Sequence, residues 1–157
     1  MEIRIELATM DDVPALLDLQ LKAYRLQCEE YGWVEESPMT ESLEQVREEF
    51  ERCTTLKVGD EDGRIIGSVR GYYNSDDDSL YIGRLMVLPE YQQRGIGRRL
   101  LREIHLRVPH RRAWLCTCRQ LVFTYKFYLQ EGFKPFRIEE AGPRLTWIYM
   151  ERRACRW

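Results

Sequence analysis

From Leu56 to Val87 apolar residues recur with a period of two, and shortly afterwards Ile96, Leu100, Leu101 and Ile104 follow a helical spacing instead. So abrupt a change of period requires a strand, a tight turn and a helix N-terminus in succession. The segment is Leu85-Met86-Val87-Leu88-Pro89-Glu90-Tyr91-Gln92-Gln93-Arg94-Gly95-Ile96-Gly97. A helix start leaves backbone N–H groups unpaired and carries the positive end of the macrodipole, while glycines let a diphosphate come close to the main chain. Arg94, Arg98 and Arg99 add cations beside it. There is no G-x-x-x-x-G-K, and the third glycine of a dinucleotide fingerprint is missing, so neither of those phosphate loops is present. A bare G-x-G arises by chance on the order of once in a chain of this length, so the flanking strand and helix must carry the assignment.

The remaining pattern builds around this segment. Ile3, Ile5 and Leu7 alternate as in a half-buried strand, and a helix is predicted from about Asp11 with Val13, Leu16, Leu17, Gln20 and Tyr24 on one side. Tyr31 to Met39 reads as a loop, after which Thr40 caps a second helix carrying Leu43, Val46, Arg47 and Phe50 on one face. Leu56 to Val58, Arg64 to Tyr73 and Leu80 to Val87 form an antiparallel meander turning at Asp60-Glu61-Asp62-Gly63 and at Asn74 to Ser79. The helix after the turn stops before Pro109, and Ala113 to Cys118 is a buried strand. Leu121, Val122, Tyr125, Tyr128 and Leu129 form a helical stripe closed by Gly132, with Phe133 placed for the contact of a glycine-terminated helix. Phe136 to Ile138 and Leu145 to Met150 read as a last hairpin. The order β-α-α-β-β-β-α-β-α-β-β predicts a mixed α/β fold, with a mostly antiparallel twisted sheet of about seven strands and helices on both faces. No repeat or linker interrupts residues 1–157, so one domain is expected.

Composition narrows the classes of function. Twenty-four Lys and Arg stand against 26 Asp and Glu, and a net charge of −2 offers no global field for nucleic acid or an anionic membrane. Arg107, His110, Arg111 and Arg112 form a basic run without an aromatic platform, better suited to a solvated surface or a coenzyme's ribose phosphate than to RNA. Five cysteines without C-x-x-C spacing suggest neither a disulfide framework nor a zinc site. Cys116 and Cys118 share one face of a strand and read as small hydrophobes. Two histidines and no ligand cluster imply no metal. No basic and apolar leader opens the chain, and no apolar run reaches the ~20 residues of a membrane span, so a cytoplasmic protein is expected.

The segment resembles the signature Q/R-x-x-G-x-G/A of the GNAT superfamily of N-acetyltransferases, with Gln92, Gly95 and Gly97 at its fixed positions. Tyr128-Leu129-Gln130-Glu131-Gly132-Phe133, 31 residues beyond Gly97, is similar to that family's Y-x-x-x-G-F. The order of elements matches over nearly the whole chain. The resemblance implies acetyl-CoA as donor, its pyrophosphate on the turn formed by Gln92, Gln93, Arg94, Gly95, Ile96, Gly97, Arg98 and Arg99. It places the pantetheine alongside Leu85, Met86 and Val87, with an amide near Met86 or Val87 polarising the thioester carbonyl. It also implies that Tyr128 protonates the departing thiolate, as a phenol still protonated at neutral pH can do.

Two departures from the family stand out. Counting back from Gly95, Tyr81 occupies the place where some relatives carry a basic Glu, and Leu121 stands where many carry an Asn that contacts pantetheine. Glu35, Glu36 and Asp76 to Asp78 are the alternative bases, beside a water chain. Tyr31, Trp33 and Glu36, between the first two helices, together with Tyr81, are candidate contacts for the acceptor, the primary amine of a small molecule or peptide. The expected reaction is direct attack of that amine within a ternary complex. A non-catalytic acyl-CoA-binding module and a protein-interaction domain on the same fold remain open, and Tyr81 favours the former. The tail from Arg152 to Trp157 is either disordered or packed against a second copy, which leaves a homodimer open.

Overall fold

A computed structural model describes residues 2–33 and 37–154. β1 (Ile5–Leu7) leads through a 3-10 turn at Met10–Asp12 into α1 (Val13–Tyr31). α2 (Ser37–Thr40) and α3 (Leu43–Arg52) follow, then the meander β2 (Thr54–Gly59), β3 (Ile65–Asn74) and β4 (Ser79–Val87). A second 3-10 turn at Pro89–Tyr91 opens the way to α4 (Ile96–Arg107), β5 (Arg112–Cys118), α5 (Val122–Gln130), β6 (Lys134–Gly142) and β7 (Leu145–Arg153). The seven strands form one sheet in the order β1-β2-β3-β4-β5-β7-β6, antiparallel except for β4 beside β5. The expected mixed fold is the one observed.

Side-chain alternation along β3 sorts the helices onto two faces. Arg70 reaches Gln20 of α1 at 3.2 Å, and Tyr72 donates to Glu49 of α3 at 2.6 Å, so Arg70 and Tyr72 face the first helices. Gly67 and Gly71 face α4 instead. A Cβ on Gly71 would lie 2.8 Å from Ile104 Cγ1, and one on Gly67 would lie 3.2 Å from Leu100 Cδ1. The two glycines therefore let α4 sit close against the sheet, where Ile96, Leu100, Leu101 and Ile104 pack with Leu56, Val58, Val69 and Leu80 in the main core.

Three local expectations change. Ser42, not Thr40, caps α3: its hydroxyl accepts the Gln45 N–H at 3.1 Å, and the Gln45 side chain accepts the Ser42 N–H at 2.8 Å. The segment expected as a loop from Tyr31 to Met39 includes the last residue of α1, and α2 begins within it. Along α5, Val122 and Leu129 are exposed, while Leu121, Thr124 and Tyr128 line an internal cavity. Gly132 ends α5 at φ +89°, and the Phe133 N–H returns to the Tyr128 carbonyl at 3.0 Å, with Phe133 buried.

His105, on α4, is buried against Phe133 and shares a hydrogen bond with His110 (Nδ1 to Nε2, 3.0 Å). Burial, with His110 and Arg152 nearby, lowers its pKa to about 3. The folded protein thus holds a neutral imidazole that the unfolded chain protonates below about pH 6.5. Stability from this residue is complete above that pH and is lost as pH falls.

Two outcomes follow. Gly71→Ala lowers the unfolding free energy by about 1–3 kcal/mol, because Ile104 and the backbone must separate; urea unfolding measures it. Between pH 7 and pH 5 the unfolding free energy falls by about 2 kcal/mol, and His105→Leu flattens that interval.

Candidate active site

The site begins where two strands part. β4 and β5 pair only at Ser79, Leu80 and Tyr81 against Arg112, Ala113 and Trp114. Beyond that point β5 stays with β7 as far as Cys118, and β4 stays with β3. The register against β3 shifts between Ser68 and Arg70, and Arg84 in that stretch adopts φ +50°. This is a bulge that turns β4 away from β5. The opening is a cavity of about 530 Å³, walled on one side by Tyr81 to Val87 and on the other by Trp114, Cys116, Thr117 and Cys118.

Strand geometry fixes which backbone groups face the gap. The Leu88 N–H donates to the Ile66 carbonyl at 2.9 Å, across the ladder to β3. N–H and C=O directions alternate along a strand, so Val87 points its amide and carbonyl to the opposite edge, into the opening. The Gln92 amide donates to that Val87 carbonyl at 3.1 Å. Gln92 therefore fastens the turn to the strand edge. Of the flanking pair, Met86 buries its side chain in the core and Leu85 lines the cavity.

The turn itself needs two left-handed residues, Gln93 at φ +63° and Gly95 at φ +81°. The first helical hydrogen bond runs from the Arg99 N–H to the Gly95 carbonyl at 3.1 Å, so the amides of Gly95 to Arg98 lie ahead of the ladder. Ile96 sends its side chain into the core and leaves its amide at the turn. Gly97 has an ordinary φ, and a Cβ there would meet only Val87 Cγ2, at 3.9 Å. Neither backbone strain nor packing requires that glycine. Its bare Cα leaves the helix N-terminus uncovered there.

The cations are distributed unequally. Arg94 lies 5.2 Å over the Tyr91 ring and is exposed, as is Arg99. Arg98 is instead bound through Nε to Glu131, whose carboxylate is 1% exposed and also takes Arg102 Nε at 3.1 Å. Arg98 therefore offers the turn its amide, while its guanidinium joins α4 to the C-cap of α5. That contact was not legible in the sequence because its partners lie 33 residues apart.

Tyr128 lines the cavity from α5 and is 9% exposed. Burial first, then the Tyr24 and Tyr81 phenols, push its pKa well above the ordinary phenol value, so it keeps its proton at neutral pH. Trp33 lines the cavity, and Tyr31 stacks on it at 4.7 Å while donating to the Gln120 carbonyl at 3.2 Å. Tyr31 thus supports the cavity wall from behind. Glu35 and Glu36 lie outside the described residues. Asp77 and Asp78 belong to the β3–β4 turn, where they accept from Ser79 at 2.6 Å and Tyr73 at 2.8 Å. Tyr81 lines the cavity, and its pKa is raised by burial, so it is no base near neutral pH. Burial likewise raises Cys116 to about 12 and Cys118 to about 11, leaving both as thiols. Among the described residues no His, Cys, Asp or Glu cluster could hold a metal ion.

Sequence reading missed a buried polar network at the cavity's edge. Glu41 receives Gln20 Nε2 at 2.9 Å, with Arg84 at 3.3 Å and Arg70 at 3.6 Å. Burial would raise the Glu41 pKa, but the Gln20 amide and the two guanidiniums outweigh it and hold the carboxylate below its ordinary range. Also missed were Trp114, Trp147 and Tyr149, although their i, i+2 placement on β5 and β7 marked one face.

A sequence profile described as an acetyltransferase (GNAT) domain matches residues 52–135, just over half of the chain. Solved structures share the fold. The chain superposes on PaiA N-acetyltransferase from Thermoplasma acidophilum in complex with coenzyme A, with a TM-score of 0.78 and 23% identity over 98% of this chain and 100% of that one. It superposes on the ribosomal-protein-S18-alanine N-acetyltransferase from Escherichia coli with a TM-score of 0.79 and 17% identity, over 97% and 94%. A GNAT family acetyltransferase from Elizabethkingia anophelis with acetyl-CoA bound gives a TM-score of 0.72 and 18% identity, over 97% and 98%.

Removing the buried carboxylate tests the α4–α5 junction. Glu131→Gln lowers the unfolding free energy by about 1–3 kcal/mol, whereas Glu103→Gln, on a half-exposed helical pair with Arg107, changes it by less than about 0.5 kcal/mol.

Proposed function

Because the chain belongs to the GNAT acetyltransferase family, we propose that it transfers an acetyl group from acetyl-CoA to the primary amine of a small molecule or peptide, by direct attack in a ternary complex. The observation that carries this reading is the conjunction of a strand edge at Val87 and a buried protonated phenol at Tyr128 around one cavity, with Gln92 in its lining and the amides of Gly95 to Arg98 on the turn that Gln92 fastens to Val87.

Acetyl-CoA supplies an activated thioester carbonyl. The amides from Gly95 to Arg98 bind its pyrophosphate, with Arg94 and Arg99 as neighbouring cations. The Val87 amide, aimed into the opening, donates to the carbonyl oxygen as charge develops there. Leu85 and Leu121 offer apolar wall to the pantetheine, and Thr124 offers a hydroxyl on the α5 side. Tyr128 supplies the proton to the departing thiolate. Tyr81, with its raised pKa, does not take the acceptor's proton, so the amine loses it to solvent or arrives neutral. The same Tyr81 favours a second reading, a coenzyme-binding domain without turnover.

Acetyl-CoA incubated with an amine panel should release free thiol; tight coenzyme binding without thiol release across the panel would support the second reading. Tyr128→Phe is expected to lower kcat on the order of 10²-fold with little change in the KM for acetyl-CoA. Gly97→Val should raise that KM by about tenfold or more, equal to about 1.4 kcal/mol of lost binding, without lowering the unfolding midpoint. An unchanged KM would remove the pyrophosphate from this turn.

A further inference from the structure

One sheet face carries a row of aromatic rings that runs out of the inner cavity. Tyr72 on β3 contacts Tyr81 on β4 at a centroid distance of 5.8 Å, and Tyr81 contacts Trp114 on β5 at 4.5 Å. Trp114 lies 6.4 Å from Tyr149 on β7, and Tyr149 lies 6.3 Å from Phe136 on β6. The row crosses five neighbouring strands. Its outer part borders a second cleft of about 710 Å³, and Tyr81, Trp114 and Tyr149 line both spaces, so cleft and inner cavity share a wall. The four inner rings are half-buried and Phe136 is 44% exposed.

Rings so placed can hold either a flat ring or a cation, and the charges around them decide between the two. The outer rings already carry the protein's own cations: Arg112 lies 4.8 Å over Phe136, and Arg137 lies 4.8 Å over Tyr149. Glu151 and Glu139 hold those guanidiniums in place, each at 2.8 Å or less. Within the inner cavity Arg84 is the one charged side chain among the described lining residues. The faces of Phe136 and Tyr149 that a ligand cation would seek are thus already taken by Arg112 and Arg137, while Glu41 meets the charge of Arg84 and Asp77 is the carboxylate that lines the outer cleft. A flat uncharged ring gains stacking contact along the row.

Resting on the acetyltransferase reading, we infer that the acceptor is an aromatic amine, its ring seated on the Tyr72–Tyr81–Trp114–Tyr149–Phe136 row in the outer cleft and its amine directed past Tyr81 and Trp114 into the cavity. Those two side chains stand at the last paired positions of β4 and β5, where the strands part. A ring over them places an attached amine at the mouth of the opening that Val87 and Tyr128 line.

The test compares phenethylamine with hexylamine, kcat/KM being referred in each case to the neutral amine because the phenyl group makes phenethylamine the weaker base, and with spermidine as a polycation. For the wild-type protein kcat/KM with phenethylamine should exceed that with hexylamine, and that with spermidine, by at least about tenfold. In Trp114→Leu and in Phe136→Ser that ratio should fall at least about fivefold, with unfolding midpoints checking that both variants fold. Equal kcat/KM for the two neutral amines, or a ratio that neither variant alters, would overturn the inference. If no amine releases thiol, saturation-transfer NMR of phenethylamine with the protein and coenzyme A separates the two readings. Ring saturation that weakens in Phe136→Ser keeps the aromatic site while acetyl transfer fails, and no saturation overturns the site as well.

Discussion

The parting of β4 from β5 is the constraint on which the site depends. A parallel pair limited to three residues leaves a length of β4 edge whose polar groups have no strand partner. The gap stays open because β4 bends at the bulge at Arg84 while keeping its ladder to β3, and β5 runs on along β7 through seven pairs. Closing it would require straightening that bulge against β3, so the opening is a property of the backbone.

The second requirement is that the turn after β4 keep a fixed place against that edge. Gly67 and Gly71 let α4 lie against β3, and the Gln92 amide anchors the turn to Val87. On the far side of α4, Glu131 gathers Arg98 and Arg102 beneath the C-cap of α5, three residues after Tyr128. The helix that presents the amides and the helix that presents the phenol are thereby joined through a buried carboxylate. A small shift of either would be felt by both, because the interior between them has no slack.

How much of this the sequence disclosed depended on the separation of the partners. The strand, turn and helix at Leu85 to Leu100 are dictated by neighbours within a few residues, as are Gly132 and Phe133 at the end of α5, and these were legible. The cap of α3 was misplaced by two residues because Thr40 and Ser42 are both competent N-cap residues, and only Gln45 facing Ser42 distinguishes them. The α5 stripe was drawn too wide because Val122 and Leu129 are apolar yet exposed, and apolarity alone does not reveal which side a helix buries. The Glu41 network and the Glu131 junction depend on residues 21 to 43 positions apart, and no local periodicity encodes them.

The same distinction separates the two halves of the proposed ternary complex. A pyrophosphate is bound by main-chain amides at a helix start, so its recognition is written in consecutive residues. An acceptor on the aromatic row would touch side chains from five strands whose spatial order, β3, β4, β5, β7, β6, departs from their chain order. Each of those residues reads as an ordinary half-buried strand position, and only assembly of the sheet lines them up. Changing the acceptor would therefore require only surface substitutions on that face, while changing the donor would require a different turn.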